Sequence, residues 1–156
     1  MQILVVSDSH GDFNTLNKLI RTKPKAEVVI FCGDGVEDFM EVKKNYPDKM
    51  FIGVRGNCDW GSQLPNIEIV TIAGKKIYIT HGHIQNVKYY LDGLKNAARE
   101  QNADIALYGH THEANIEHDD GLWIMNPGCV HRSERSYGLI DIQNGEILMN
   151  TAIFPL

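Results

Sequence analysis

Five short segments of this sequence carry side chains that can bind metal ions. Each segment contains carboxylate, amide or imidazole groups, and each follows a short apolar run typical of a β-strand. The segments are Asp8-Ser9-His10, Gly33-Asp34, Gly56-Asn57-Cys58-Asp59, His81-Gly82-His83 and Gly109-His110-Thr111-His112. Together they offer two carboxylates, one amide and at least four imidazoles, enough for two divalent ions. This combination indicates a metal-dependent hydrolase.

The spacing within the segments predicts how two ions are shared. Asp8 and His10 are separated by one residue, so both can turn toward one ion from the same loop. Asp34 stands between two glycines, and its two carboxylate oxygens can bridge both ions. His110 and His112 can each serve a different ion. The other predicted ligands are uncharged, namely the Asn57 carbonyl oxygen and the His81 imidazole.

The predicted ligands are oxygen and nitrogen atoms, without an obligatory thiolate. This set favours Mn²⁺, with Fe, Zn²⁺ and Ni²⁺ as alternatives, over copper or iron–sulfur clusters. Two such ions about 3.5–4 Å apart can hold a bridging hydroxide that attacks a phosphoryl group in line, so no protein nucleophile is needed. The sequence has no convincing Ser-His-Asp motif and no glycine-rich P-loop, which argues against an ATPase or kinase.

Length, charge and hydropathy limit the domain organisation of the chain and the kinds of partner that it can bind. A chain of 156 residues predicts one compact domain spanning residues 1–156. The net charge of −5 disfavours nucleic acid as a partner, because such binding needs many Lys and Arg contacts. Two divalent ions beside Asp8 and Asp34 would still make the pocket locally positive for a small phosphate ester. The apolar stretches are too short for a membrane span, and a homo-oligomer is left open.

The cysteines and the N-terminus predict a cytoplasmic location. Cys32, Cys58 and Cys129 are scattered and form no Cys-x-x-Cys pair, which suits a reducing compartment. The chain enters the apolar run 3–6 without a preceding basic region, so no secretory signal is expected.

The hydrophobic pattern predicts a parallel sheet in the first half of the chain. Strands are expected at 3–6, 28–32 and 50–54, because these runs are continuously apolar. Between them, Phe13, Leu16, Leu19 and Ile20 predict a helix capped by Asp12, and a second helix is expected at 37–44. The order β-α-β-α-β favours parallel strands with right-handed crossovers.

The second half predicts a sheet with more antiparallel pairing. Strands at 68–72 and 76–80 flank a turn at Ala73-Gly74-Lys75, and Asn144-Gly145 predicts another hairpin. Apolar residues from Val87 to Ala98 at helical spacing predict a helix over that segment, capped by Asn86. Further strands are expected at 105–108, 114–117, 122–125, 137–142 and 146–153. We therefore expect two packed sheets with helices outside them, in one domain without a linker.

In this order the five motifs resemble the calcineurin-like metallophosphoesterase superfamily. The segment 54–59 and the short length resemble its small bacterial and archaeal phosphodiesterase branch, and Asn126-Pro127-Gly128 is also similar. The resemblance implies an α/β (α+β) fold, a four-layer αββα sandwich of two mixed β-sheets flanked by helices. It implies a phosphodiesterase that hydrolyses a small phosphate ester. It implies one metal at Asp8, His10, Asp34 and His112, and the other at Asp34, Asn57, His81 and His110.

Two positions depart from the superfamily pattern. Many members have His after the motif Asn, where it is thought to assist the leaving group, but this chain has Cys58, as the small branch often does. A thiol is a poorer proton donor than an imidazolium near neutral pH, so we expect a bias toward good leaving groups. Relatives often have Ser at the position of Cys129, with no clear consequence.

Several nearby residues allow two interpretations. His83 either faces substrate or makes a structural hydrogen bond, and Cys58 faces the pocket rather than filling a buried space. Asp59 is expected to orient its loop, and Trp60 to anchor its loop by packing rather than to stack on a nucleobase. Arg55 and Arg132 can each reach a phosphate, although a salt bridge is the simpler expectation for each.

The same site leaves other functions open. A phosphomonoesterase or a nuclease would use the same ligands. In the resembling superfamily the fold also serves as a non-catalytic adaptor of the eukaryotic retromer coat, where the metal site is degraded. All seven ligand positions are intact here, which favours catalysis.

Overall fold

A computed structural model describes residues 1–131 and 134–155, so Arg132 lies outside the described residues. The described residues form ten strands and three helices. The helices are α1 (Phe13–Arg21), α2 (Val36–Lys43) and α3 (Asp92–Glu100). The strands are β1 (Gln2–Val6), β2 (Val28–Phe31), β3 (Met50–Gly53), β4 (Ile67–Ile72), β5 (Lys75–Thr80), β6 (Ile105–Leu107), β7 (Asn115–Asp119), β8 (Leu122–Asn126), β9 (Ser136–Gln143) and β10 (Glu146–Ile153).

The strands form two mixed five-stranded sheets. The first sheet has the order β10-β9-β1-β2-β3, and the second has the order β4-β5-β6-β8-β7. Strands β1, β2 and β3 are mutually parallel, as are β5, β6 and β8. The remaining pairs, β1–β9, β9–β10, β4–β5 and β7–β8, are antiparallel. The predicted parallel core of the first half is confirmed.

Three hydrophobic clusters define the layers. Alternate residues of a strand point to opposite faces, so Ile3 and Val5 lie between the two sheets while Leu4 and Val6 pack toward α1 and α2. On the far face of the second sheet, Tyr78 and its neighbours pack against α3. Both faces of each sheet are thereby covered. The four-layer αββα arrangement predicted by the resemblance is confirmed.

Local signals in the sequence place several element boundaries. The Asp12 side chain accepts a hydrogen bond from the backbone amide of Thr15 at 3.1 Å, which caps α1 as predicted. Asn144 and Gly145 have φ values of 53° and 80°, which is the left-handed backbone of a two-residue hairpin turn.

The third helix begins later than predicted. The expected helix over 87–98 starts only at Asp92, and Leu91 rather than Asn86 occupies the cap position. Asn86 has a left-handed φ of 57°, which belongs to a turn, and the amide of Val87 donates to the carbonyl of Gly82. Val87 is buried all the same. Its burial explains why the apolar pattern extended past the true start of the helix.

Among the described residues, the helices are too short to cross a membrane.

Candidate metal centre

All five motifs lie at the carboxyl ends of parallel strands. The segment 8–10 follows β1, Asp34 follows β2 and the segment 57–59 follows β3, while His81 follows β5 and the segment 110–112 follows β6. Carboxyl ends of parallel strands meet at one edge of a sheet, which is where α/β proteins build sites. Because the two sheets pack face to face, the motifs of both sheets reach the same edge of the molecule.

The loops that carry the candidate ligands have an unusual backbone. The backbone angle φ lies between 43° and 70° at five of the candidate ligands, namely Asp8, His10, Asp34, His110 and His112. This left-handed region is sparsely populated by non-glycine residues, although Asp and His enter it more readily than most, and such residues cluster at functional sites. The backbone therefore turns sharply at each of these five residues and directs its side chain off the end of the strand.

The first group of ligands consists of Asp8, His10 and His112. The Nε2 atoms of His10 and His112 lie 3.3 and 3.2 Å from Asp8 Oδ1, and 3.3 Å from each other. Asp8 is fully buried, and its Oδ2 atom accepts hydrogen bonds from Ser7 Oγ at 2.6 Å and the His110 amide at 3.2 Å. Its Oδ1 atom has no hydrogen-bond partner. A buried oxygen facing two imidazole nitrogens fits a cation at their centre.

The second group consists of Asp34, His81 and His110, with Asn57 beside them. His81 Nδ1 donates to the carbonyl oxygen of Cys32 at 2.7 Å, so Nε2 carries the lone pair in the neutral ring. That Nε2 atom lies 3.2 Å from Asp34 Oδ2 and 3.0 Å from Asn57 Oδ1. Atoms that all accept hydrogen bonds converge here, which fits a second cation.

Asp34 joins the two groups. Its Oδ2 atom lies 3.2 Å from His81 Nε2 and 3.9 Å from His10 Nε2, and these two rings belong to different groups. Its Oδ1 atom accepts a hydrogen bond from the Cys58 amide at 2.8 Å, which holds the carboxylate in place. The donor set and its division into two groups thus fit a pair of divalent ions that share one carboxylate.

The protonation of the cluster shows how strongly its charges interact. Burial acts to raise the pKa of Asp8, but the adjacent imidazoles of His10 and His112 hold it well below its usual range. The adjacent Asp8 carboxylate raises the pKa of His10, while burial and the nearby His81 lower the pKa of His110 to about 4. Asp8 and His10 thus favour each other's charged forms, an interaction that bound divalent ions would replace.

The Asp59 carboxylate fixes the relative position of the loops after β2 and β3. Its carboxylate accepts hydrogen bonds from the backbone amides of Asp34, Gly35, Val36 and Gly56 at 2.7–3.0 Å. These amides belong to the loops after β2 and β3 and to the first residue of α2, so one side chain fixes the approach of Asp34 to Asn57. The expectation that Asp59 orients its loop is confirmed.

A cavity of about 540 Å³ opens beside the cluster. His10 and Asp34 line its floor, and Cys58, which is exposed, lies on its wall with Trp60.

Trp60 is 92% exposed, so the prediction that it anchors its loop by packing is wrong. Leu64 packs against the hydrophobic cluster between the first sheet and its helices instead, and Arg55 donates its amide to the Pro65 carbonyl. The loop is anchored at its far end, which leaves Trp60 free to project.

Other side chains surround the cluster. The His83 ring lies 5.5 Å from the His81 ring, and its buried Nδ1 atom has no hydrogen-bond partner. The His131 ring lies 6.2 Å from the His10 ring. Within the described part of the chain Arg55 makes no ion pair, and its guanidinium donates to the Ser62 carbonyl at 3.3 Å. Cys32 is buried, as expected.

Several polar side chains, whose supporting role the sequence did not indicate, hold the candidate ligands in place. Ser9 Oγ and the Gly11 amide donate to Asp38 Oδ2 at 2.7 and 2.9 Å, which ties the first loop to α2. Asn126 Nδ2 donates to the Gly109 carbonyl at 3.0 Å and to Thr111 Oγ1 at 2.9 Å, which holds the loop of His110 and His112. The position of Asn126 directly after the predicted apolar strand 122–125 was the available signal for the second contact.

Comparison with known proteins identifies the class. The calcineurin-like phosphoesterase superfamily domain matches residues 1–145. The probable metallophosphoesterase YsnB of Bacillus subtilis is 31% identical over 152 residues, which cover 92% of this chain and 86% of YsnB. Phosphodiesterase MJ0936 of Methanocaldococcus jannaschii is 31% identical over 144 residues, which cover 82% of this chain and 83% of that protein. A predicted phosphoesterase of Streptococcus pneumoniae superposes with a TM-score of 0.83 at 25% identity, over 97% of this chain and 88% of that one.

The chain therefore belongs to the calcineurin-like phosphoesterase superfamily, with relatives among its small bacterial and archaeal members. Its class is that of the metal-dependent phosphoester hydrolases.

Proposed function

We propose that this protein is a phosphodiesterase that uses two divalent ions to hydrolyse a small phosphate ester. One ion is held by Asp8, His10, Asp34 and His112, and the other by Asp34, Asn57, His81 and His110. The observation that carries the proposal is the position of Asp34, whose Oδ2 atom faces an imidazole of each group at 3.2 and 3.9 Å. A carboxylate so placed can serve two cations at once.

When bound, two divalent ions supply activation of water near neutral pH and withdrawal of electron density from the phosphoryl oxygens. The chain's own residues hold the proposed ligands in a fixed geometry. Ser7 and the His110 amide hold one oxygen of Asp8, which leaves the other oxygen for a cation. Cys32 and Asp59 fix the orientation of His81 and of the Asp34 loop. The ligands are thus held in place before substrate binds, which limits the reorganisation during reaction.

The substrate-facing side chains lie on one side of the cluster. Cys58 and Trp60 line the cavity beside His10 and Asp34, so the organic groups of the ester would lie there. We assign Cys58 to the side of the leaving group and His83 to a substrate-facing position next to His81. The cavity is open at the surface, which suits a small diester. The net charge of −5 gives little support to a nucleic acid substrate.

The metal and the compartment are also part of the proposal. Oxygen and imidazole ligands favour Mn²⁺, with Fe, Zn²⁺ and Ni²⁺ as alternatives. The scattered cysteines, of which Cys32 and Cys129 are buried, favour a reducing cytoplasm.

Replacement of Asp34 tests the shared carboxylate. Asp34→Asn keeps the size of the side chain but removes a charge that both ions need, so we expect turnover of an activated aryl diester to fall by about a hundredfold or more. Metal content, measured by mass spectrometry of the dialysed protein, should fall below two ions per chain. Asp48→Asn, on an exposed turn, is the control. Wild-type turnover by Asp34→Asn with metal supplied would contradict the bridging role.

A panel of esters separates the competing functions. A diester, a matched monoester and DNA are compared at equal Mn²⁺, and the proposal requires the diester to have the highest kcat/KM. A preference for the monoester or for DNA would assign the site to a phosphomonoesterase or a nuclease. A protein that binds no metal and hydrolyses no ester would support the adaptor function.

A further inference from the structure

We propose that Cys58 is an additional ligand, beside His10 and Asp34, for a thiophilic divalent ion such as Zn²⁺, so that the site distinguishes soft ions from hard ones by recruiting a thiolate. The inference rests on the proposed function, because it assumes that the cluster binds metal. It adds a sulfur ligand that the oxygen and nitrogen set of the sequence analysis did not include.

The geometry brings the three donors together. One ligand atom each of His10, Asp34 and Cys58 lie within 4.8 Å of one another. Bonds of a tetrahedral zinc ion are about 2.0–2.3 Å long, so its donors lie roughly 3.3–3.8 Å apart. The atoms therefore need to close by no more than about 1.5 Å. Cys58 can do so because its side chain is exposed and one rotation about its Cα–Cβ bond moves the sulfur.

The surroundings of Cys58 favour coordination over a structural role. Its amide donates to Asp34 Oδ1 at 2.8 Å, which ties the residue to the shared carboxylate. Its Sγ atom lies 3.5 Å from Asn57 Nδ2, a weak contact that a metal bond can replace. The buried Asp8 Oδ1 atom, which has no hydrogen-bond partner, lies 3.3 Å from His10 Nε2. Negative charge on two sides of His10 attracts a cation to this position.

Ligand chemistry provides the discrimination. Thiolate favours Zn²⁺ and other soft ions, whereas Mn²⁺ prefers oxygen and imidazole. When a soft ion binds, a metal–sulfur bond forms, the thiol proton passes to solvent and no electron is transferred. With Mn²⁺ the thiol stays protonated and faces the cavity. A soft ion would therefore draw Cys58 away from the substrate and occupy the wall of the cavity.

Cobalt spectroscopy tests for the sulfur bond directly. Metal-free protein is titrated with Co²⁺, and thiolate coordination adds an intense charge-transfer band in the near ultraviolet. We expect this band in the wild type and its loss in Cys58→Ser and Cys58→Ala. Both variants keep the buried Cys32 and Cys129, so they are matched controls for the other thiols. Because Cys58 is exposed, neither change disturbs the core.

Metal affinity and alkylation give a second readout. In Cys58→Ser the Zn²⁺ dissociation constant should rise about tenfold or more, whereas that of Mn²⁺ should change by less than about twofold. In the wild type, Zn²⁺ should protect Cys58 from iodoacetamide, scored by mass spectrometry, and Mn²⁺ should not.

The outcomes separate this inference from the proposed function. If the wild type binds neither ion, the proposed function fails and the inference fails with it. If both ions bind but the cobalt band is absent or persists in Cys58→Ser, only the sulfur ligand is overturned. Equal protection of Cys58 by Zn²⁺ and Mn²⁺ would likewise overturn it, because burial beneath any bound ion would then explain the effect.

Discussion

At the scale of single residues, the candidate ligands combine two properties that rarely coincide. Asp8 and Asp34 are almost fully buried, yet their carboxylates face imidazoles rather than apolar groups. Both also have left-handed φ angles. A buried charge and a strained backbone each cost free energy, and both persist only where surrounding contacts enforce them. Asp8 and Asp34 therefore indicate a functional site, because their burial and backbone conformation do not stabilise the fold.

The thiol of Cys58 predicts a preference among leaving groups. Burial and the neighbouring Asp34 raise the pKa of Cys58, which weakens it further as a proton donor. Cys58→His would place an imidazolium there, with a pKa near 6.5 rather than 8.5. We expect the rate with an alkyl diester to rise about tenfold relative to an aryl diester.

Steady-state kinetics with Mn²⁺ on the two diesters measures that ratio. Cys58→Ser, which supplies no stronger acid, is the control. An unchanged ratio in Cys58→His would show that protonation of the leaving group does not depend on this position.

At the scale of elements, the site depends on contacts between loops. The loops after β2 and β3 are joined by the four amides that donate to Asp59, and the loop after β6 is held by Asn126 at the end of β8. Gly56 also allows a close approach, because a Cβ atom there would collide with the carboxylate of Asp34. These few polar contacts connect the candidate ligands to the rigid strands and so limit their movement.

Removal of the Asp59 carboxylate should weaken both the fold and the metal centre. Asp59→Ala leaves four amides of the two loops without their acceptor, so we expect the free energy of unfolding to fall by about 2–4 kcal/mol. Urea denaturation in chelator measures this change, and a Mn²⁺ titration should show weaker binding.

Asp48→Ala is the matched control, because Asp48 is exposed and a surface change costs about 0.5 kcal/mol or less. If Asp59→Ala were as stable as this control, the loops would be held by other contacts.

At the scale of the whole molecule, an acidic protein encloses a candidate centre for cations. The net charge of −5 coexists with a cluster that gathers at least four imidazoles around two carboxylates. The superfamily domain spans residues 1–145, and β10 adds the edge strand of the first sheet. That residues 1–156 form a single domain stays a prediction.

The charges of the cluster predict how the stability of the metal-free protein depends on pH. His10 and His81 have raised pKa values, so their contribution is present below about pH 6.5 and is lost as the pH rises through the folded values. His110 has a pKa of about 4, so its contribution is present above about pH 6.5 and is lost as the pH falls toward 4. Asp34, whose pKa is lowered, adds to the loss in acid.

We therefore expect the metal-free protein to be most stable near pH 6.5, with a decline on both sides. Thermal unfolding in chelator from pH 4 to pH 9 checks this, and His10→Asn should reduce the alkaline decline. Added Mn²⁺ should remove that decline, because the cation replaces the imidazolium protons. A flat Tm above pH 6.5 in chelator would contradict the raised pKa values.

The sequence by itself indicated the types of candidate ligand and, in the first half of the chain, the sheet edge on which they lie. Asp8 and Asp34 each come after a continuous apolar run, and strand polarity alone sends the residues after such runs to one edge of a parallel sheet. The hairpin turn at Asn144-Gly145 was predictable for a similar reason, because its conformation depends on neighbouring residues only.

Only the tertiary structure decided which distant groups meet. The contact of Asp8 with His112 and the four amides around Asp59 join loops that no local pattern connects. The exposure of Trp60 and the late start of α3 at Asp92 likewise go with the packing of a neighbouring residue, Leu64 in one case and Val87 in the other. Local propensity acts over a few residues, whereas burial is settled by the whole set of packed layers.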